Sequence, residues 1–191
     1  MDDRALLERV RRGDEHAFSR LYARYQSTIY RYAMHMCGAA AADDVVQDTF
    51  VALLRQPAKY DASRGPLVSY LFGIARHYVL KRLAIELPLD PLDDADGEAV
   101  ALRAAEIVTP LDVASRAELV AQVRDAIQTL PPAYREAVVL CELQDMDYAA
   151  AAAIMQCPIG TVRSRLHRAK AMLTTKLATL QSPSLATRQA P

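Results

Sequence analysis

The stretch DYAAAAAIMQCPIGTVRSRLHRAKAML, Asp147 to Leu173, reads as two helices joined by a tight turn. Asp147 is suited to cap the first helix, because its carboxylate can accept from the unpaired N–H groups at the start of Tyr148 to Met155. Pro158 cannot continue that helix and biases Cys157 away from helical angles, so a break is expected over Gln156 to Ile159. A second helix should begin near Gly160 or Thr161. On it Val162, Leu166, Ala169 and Leu173 recur in three- and four-residue steps and make one apolar stripe. Thr161, Arg163, Ser164, Arg165 and Arg168 lie off that stripe. The alanine run 149–153 is small enough for the second helix to cross the first closely, as a helix-turn-helix requires.

Charge is segregated around this unit. From Tyr148 to Pro191 there is no Asp or Glu, whereas Arg163, Arg165, Arg168, Lys170, Lys176 and Arg188 are basic. A helix with an apolar back, a cationic face and small polar residues in its first turn fits a DNA major groove. An ordinary solvated amphipathic helix would share the basic face, so the reading needs support from the rest of the chain.

Working outward, the 191 residues allow one domain or two small ones. Helical periodicities recur throughout and strand-like alternation is absent, so the expected class is all-α. The 23 basic and 23 acidic residues cancel, but residues 87–117 carry seven acids against two bases, which leaves the cations concentrated on either side. Cys37, Cys141 and Cys157 have no paired spacing and point to a reduced, cytoplasmic setting. No CxxC or HxxxH anchor is present, so neither a metal nor another cofactor is expected. No signal peptide or long uncharged apolar run is seen, so membrane insertion is not expected.

Upstream, a helix is expected over about Asp3 to Arg12 with Leu6, Leu7 and Val10 inward, ended by Gly13. Asp14 can cap the next, whose Phe18, Leu21, Tyr22, Tyr25, Ile29, Ala33 and Met36 form a core face up to Gly38. In ADDVVQDTFVALLRQ the inner face is Val45, Val46, Thr49, Phe50, Leu53 and Leu54. Asp43, Asp44, Gln47 and Asp48 stay outside. Two readings are open for these: acids stabilising a helix N-terminus, or a patch that docks on a basic partner. Pro57 stops the helix, and a loop with Lys59, Tyr60 and Arg64 leads to Pro66 at a helix start. The following helix, to about Leu83, buries Leu67, Tyr70, Leu71, Ile74, Ala75, Tyr78 and Val79. Its other side offers Ser69, Arg76, His77, Lys81 and Arg82. Such a loop and helix suit separated nucleic-acid strands, where phosphates are neutralised and an unstacked base finds a pocket. Past the acidic stretch, Leu119, Val120, Val123 and Ile127, then Tyr134, Ala137, Val138, Cys141 and Leu143, make two further apolar faces.

VVQDTFVALLR, PLVSYLFGIARHYVLKRL and LPPAYREAVVLCELQDMDYAAAAAIMQCPIGTVRSRLHRAKAML, in that order, resemble an extracytoplasmic function (ECF) sigma factor of bacterial RNA polymerase. The resemblance implies two small helical domains, sigma domain 2 over 1–86 and sigma domain 4 over 115–180. A flexible acidic linker over 87–114 would join them, and 181–191 would be a disordered tail. It implies that Asp43, Asp44, Gln47 and Asp48 bind the clamp helices of the largest subunit of core RNA polymerase, and that the flap region is a further contact. Lys59, Tyr60, Arg64, Arg76, His77, Lys81 and Arg82 would recognise and help melt the minus-ten element of promoter DNA. Thr161, Arg163, Ser164, Arg165 and Arg168 would read the minus-thirty-five element. An anti-sigma factor is a further implied partner. The chain departs from the family pattern at Tyr70, where Trp is common, at His77 for Asn, at Lys81 for Asp, and at Ala149 and Ala150, where acids are usual. Two other classes compete. A free-standing helix-turn-helix regulator leaves the blocks from Asp43 to Arg82 unexplained. An enzyme would need a convergent cluster, and His16, His35, His77 and His167 lie on separate helices.

Overall fold

The computed structural model describes residues 2–86 and 113–181. Eight α-helices account for most of them, and no strand occurs among the described residues. All but the last two residues of the acidic connection expected over 87–114 lie outside them, as does the tail expected after Gln181.

The first half is a four-helix unit. Helix α1 (Asp3–Arg11) packs Leu6, Leu7 and Val10 onto α2 (Glu15–Cys37). Gly13, at φ +84°, turns the chain between them, and Asp14 caps α2 by accepting from the Ala17 N–H at 3.0 Å. Gly38, also at φ +84°, closes α2 and opens α3 (Ala39–Arg55). Both glycines adopt an angle that a Cβ would strain. After α3 come two 3-10 turns, Pro57–Lys59 and Ala62–Arg64, and then α4 (Leu67–Glu86). Pro66 stands just before α4, where its missing N–H costs nothing and its carbonyl accepts from Ser69 at 3.1 Å. Leu21, Ile29, Tyr32, Met36, Val45, Leu53, Leu67, Leu71 and Phe72 are fully buried where α2, α3 and α4 meet. Each such side chain contributes roughly 1.5–3 kcal/mol relative to exposure.

The second half holds α5 (Val113–Gln128), α6 (Pro132–Val138), a π-helical stretch (Val139–Leu143), α7 (Tyr148–Met155) and α8 (Ile159–Gln181). Asp147 caps α7 through the Ala150 N–H at 2.7 Å. The turn into α8 is made by Gln156, which takes the left-handed conformation at φ 54°. Pro158 then starts the second helix rather than merely stopping the first: its carbonyl accepts from Thr161 at 3.0 Å and Val162 at 3.3 Å. Helix α8 accordingly begins at Ile159, one or two residues before the expected start. Ala151 and Ala152 are buried in α7, and Val162, Leu166 and Ala169 are buried in α8, which packs on α7.

Three expected core residues are exposed instead. Leu54 (44% exposed) lies one residue, about 100° of helix, past Leu53 and falls off the buried face. Val120 (51%) is exposed on α5, whereas Ala126 and Ile127 of the same helix are buried. Leu143 (38%) ends the π-helical stretch two residues past Cys141, on nearly the opposite side of the helix from it.

The two halves touch. Helix α2 packs on α5 and α6, α4 packs on α7, and the buried apolar residues of both halves form one continuous cluster.

Candidate nucleic-acid interface and docking face

Three surfaces hold the residues singled out by the sequence. The first is an open cleft of ≈ 1110 Å³ lined by the 56–66 loop and α4, together with Ala153 and Ile154 of α7 and Gln156 of the turn after it. Lys59, Tyr60, Arg64, Arg76, His77 and Lys81 all line it. Asp61 is the only acid among the described residues that line it, and that carboxylate is committed to the Ser63 N–H at 2.9 Å and hydroxyl at 2.7 Å. The Ser63 hydroxyl and then its N–H hold the Asp61 carboxyl below its ordinary value. Tyr60 donates to the Gly65 carbonyl at 3.0 Å and packs on Tyr70 with ring centroids 5.6 Å apart. The His77 ring meets Tyr78 edge-on at 5.5 Å. The cleft therefore combines cations with aromatic surface, the two features that hold a single strand.

Arg82 is not in that wall. It faces α3, where its guanidinium reaches Asp44 at 3.4 Å and Asp48 at 3.3 Å. The second surface is thus the acidic face of α3 with one cation at its edge. Because α3 starts at Ala39, none of its acids falls in the first turn. The macrodipole acts mainly over that turn, so helix stabilisation explains Asp43, Asp44 and Asp48 poorly. Asp43, Asp44 and Gln47 are exposed and Asp48 is half-buried.

The third surface is the outer face of α8. Arg163 and Ser164 are exposed, and Thr161, Arg165 and Arg168 are half-buried. The Arg163 guanidinium sits 5.6 Å from the Tyr148 ring centroid, and the Ser164 hydroxyl donates to the Thr161 carbonyl at 3.0 Å. No carboxylate among the described residues pairs with Arg163, Arg165 or Arg168, whereas Lys170 is paired with Glu142 at 2.9 Å.

A fourth group, between the halves, was not anticipated. Glu136 is 2% exposed and accepts from the Tyr32 hydroxyl at 2.9 Å and from Arg76 Nε at 2.8 Å, both donors coming from the first half. Burial, and then the Glu136 charge, push the Tyr32 hydroxyl well above its ordinary pKa. Arg135, 9% exposed, donates across the contact to the Met36 carbonyl and, within its own half, to the carbonyls of Gln128 and Leu130. Gln128 adds a bond to the Met34 carbonyl at 3.4 Å. The signal available in advance was the charged pair in LPPAYREAVVL, set inside an otherwise apolar run.

Residues 21–84 match the family model "Sigma-70 region 2", and residues 121–173 match "Sigma-70, region 4". The ECF RNA polymerase sigma-E factor of Haemophilus influenzae is 31% identical over 185 residues, covering 94% of this chain and 97% of that one. The chain belongs to the ECF sigma factors of bacterial RNA polymerase. The sigma-E factor of Escherichia coli strain K12 is 34% identical to this ECF sigma factor over 187 residues, 94% of the chain and 96% of the relative. Among solved structures, CnrH in complex with the cytosolic domain of CnrY aligns with a TM-score of 0.67 at 27% identity, over 94% of this chain and 99% of that one. Sigma factor RpoE from Bartonella quintana, in complex with the anti-sigma factor NepR, aligns with a TM-score of 0.60 at 25% identity, over 84% and 96%. As a member of the family, this chain joins core RNA polymerase and directs it to promoters for initiation. No metal-binding cluster and no helix long and apolar enough to cross a membrane occur among the described residues.

Proposed function

We propose that this sigma factor divides promoter recognition and polymerase docking among the three surfaces. The α3 face, through Asp43, Asp44, Gln47 and Asp48, docks on the clamp helices of the largest polymerase subunit, with Arg82 as part of that face. The cleft, through Lys59, Tyr60, Arg64, Arg76, His77 and Lys81, takes the minus-ten strand as it leaves the duplex. The face of α8, through Thr161, Arg163, Ser164, Arg165 and Arg168, enters the major groove at the minus-thirty-five element. Residues 1–86 and 115–180 act as the two functional domains, 87–114 as the tether, and the second domain also meets the polymerase flap. The work is done in the cytoplasm, and the chain itself contributes no covalent chemistry.

The observation that carries this reading is the presence of one cationic face in each half, each built on residues matched by a sigma-70 region model. Each face alone offers few phosphate and base contacts, so binding is weak and salt-sensitive until polymerase fixes their separation and effective concentration multiplies them. With Arg76 held by Glu136 and α7 forming one wall of the cleft, engaging both promoter elements requires the halves to part. A partner that favours the joined arrangement would silence the factor. The Bartonella quintana relative is in complex with an anti-sigma factor, which supports an anti-sigma partner for this chain. Run-off transcription with core polymerase on templates randomised at both elements tests the proposal. It stands if transcripts require this chain and select bases at both elements, and it falls if the chain binds duplex DNA tightly by itself and adds nothing to polymerase.

A further inference from the structure

Helix α1 precedes the residues that the region 2 model covers, and none of the three surfaces uses it. It is nonetheless firmly seated. Leu6, Leu7 and Val10 are buried against the first half, and Asp3 accepts from both Arg24 and Tyr25 of α2. Its last residue, Arg11, then reaches a loop 46 positions away in sequence. Arg11 Nε and one terminal nitrogen donate to the Pro57 carbonyl at 3.1 and 2.9 Å, and the same terminal nitrogen donates to the Tyr60 carbonyl at 3.2 Å. The other terminal nitrogen is fixed by Glu8 at 2.7 Å.

Those two carbonyls bracket the turn Pro57–Lys59, which buries no residue of its own. The loop beyond it is held from the opposite side by the Tyr60 hydroxyl on Gly65 and the Tyr60 ring on Tyr70. A planar guanidinium spanning two carbonyls therefore decides where the backbone of Lys59 and Tyr60 runs, a task that suits the fixed fork of arginine and not the single ammonium of lysine. We propose that Arg11 is a positioning residue for minus-ten recognition, setting the loop that carries Lys59 and Tyr60 without meeting DNA itself. The inference rests on the reading of that loop as part of the minus-ten reader. Without Arg11 the carbonyls are solvated at little cost to the fold, and the ordering of the loop is deferred to the moment of binding, where it weakens discrimination.

The test is run-off transcription by the full chain with core polymerase on templates randomised at both promoter elements, counting the templates transcribed. Arg11→Ala should flatten base preference at the minus-ten element by about 5-fold, within the range that misplacement of a contact group produces. Minus-thirty-five preference, polymerase binding and melting temperature should hold. Arg11→Lys should follow Arg11→Ala rather than rescue it. Lys59→Ala and Tyr60→Ala, in the same assay, separate the two ideas. If they flatten minus-ten preference and Arg11→Ala leaves it sharp, the brace is wrong and the loop reading survives. Equal flattening at both elements by Arg11→Ala, or lost polymerase binding, would also overturn the brace, since either marks general damage. If neither loop variant changes minus-ten preference, the loop reading itself fails and takes the brace with it.

Discussion

The arginines of α4 and those of α8 differ in how far the protein already engages them. On α4, Arg76 is held by a buried glutamate of the other half, and Arg82 is held by two carboxylates of α3. On α8, Arg163, Arg165 and Arg168 have no carboxylate partner among the described residues, and Arg163 lies over the face of Tyr148. The difference lies in what each helix packs against. Helix α4 packs against α2, α3 and α7, so Arg76 and Arg82 meet side chains before they meet solvent, while His77 and Lys81 stay exposed. Helix α8 packs on α5, α6 and α7 and leaves Arg163 and Ser164 outward. The α8 face can meet duplex DNA at once. On α4, Arg76 must exchange a protein anion for a phosphate.

The largest way to break this comparison is to remove that anion. Glu136→Ala leaves Arg76 and the Tyr32 hydroxyl without their acceptor, and taking one partner from a buried pair costs about 3–5 kcal/mol if nothing relaxes. The halves can avoid that cost by separating. An increased radius of gyration in solution scattering is expected, together with about 10-fold tighter binding of a random-sequence single strand at low salt. Unchanged scattering and unchanged binding would mean that Glu136 does not restrain Arg76. Arg76→Ala should also open the molecule but gain no DNA binding.

Next in size is the unpaired face. Arg165→Ala should lower minus-thirty-five-dependent initiation by about 10-fold or more if the side chain reads a base edge, a contact worth roughly 1–3 kcal/mol. Polymerase binding should stay intact. Asp48→Arg should do the reverse, abolishing capture of polymerase in a pull-down while leaving the α8 face competent. Equal loss of polymerase binding in both variants would erase the distinction between docking and reading surfaces.

How far the sequence foretold this depends on the kind of force involved. Period and capping were readable because they are local: Asp14, Gly38 and Asp147 do what their chemistry dictates within a few residues. The candidate site residues of the cleft come together because the loop and α4 are adjacent in the chain. What could not be read was how helices pack on one another, within a half and between halves. Tyr32 and Phe72 fall outside the apolar stripes assigned to their helices, yet both are fully buried and meet edge-on at 5.3 Å. Helix α4 is covered on more than one side, so a single-stripe reading undercounts its buried residues. Arg82 was grouped with the minus-ten residues by helical adjacency, but its tie to Asp44 and Asp48 depends on how α3 and α4 cross.

A smaller effect sharpens that last point. Both pairs of Arg82 are partly exposed, so Arg82→Ala should change stability by no more than about 1 kcal/mol. It should leave minus-ten preference unchanged in the randomised-template assay, in contrast to His77→Ala or Lys81→Ala. If Arg82→Ala flattens minus-ten preference as they do, Arg82 belongs with the cleft after all.

The smallest expected effect concerns pH, and it again separates the joined half from the open one. His35 lies in the last turn of α2, and its Nδ1 is buried with no hydrogen-bond partner. A helix C-terminus ordinarily favours imidazolium, by about 0.3–1 kcal/mol. Here burial, and then Arg124 of α5 and Arg31 of α2, outweigh that and hold the His35 pKa below its ordinary 6.5. Above that value the ring is neutral whether or not the chain is folded, and its contribution to stability is fully present. As the pH falls from that value to the folded one, the unfolded chain takes up a proton that the folded one resists, and stability is lost. Since Arg124 belongs to the second half and His35 to the first, the same protonation sets two cations against each other across the contact. Acidification from about pH 7.5 to about pH 5.5 should therefore lower the melting temperature and expand the molecule in solution scattering, and His35→Gln should remove most of that response. A response of equal size in the His35→Gln protein would assign the acid sensitivity to other groups and leave the contact between α2 and α5 indifferent to charge on this ring.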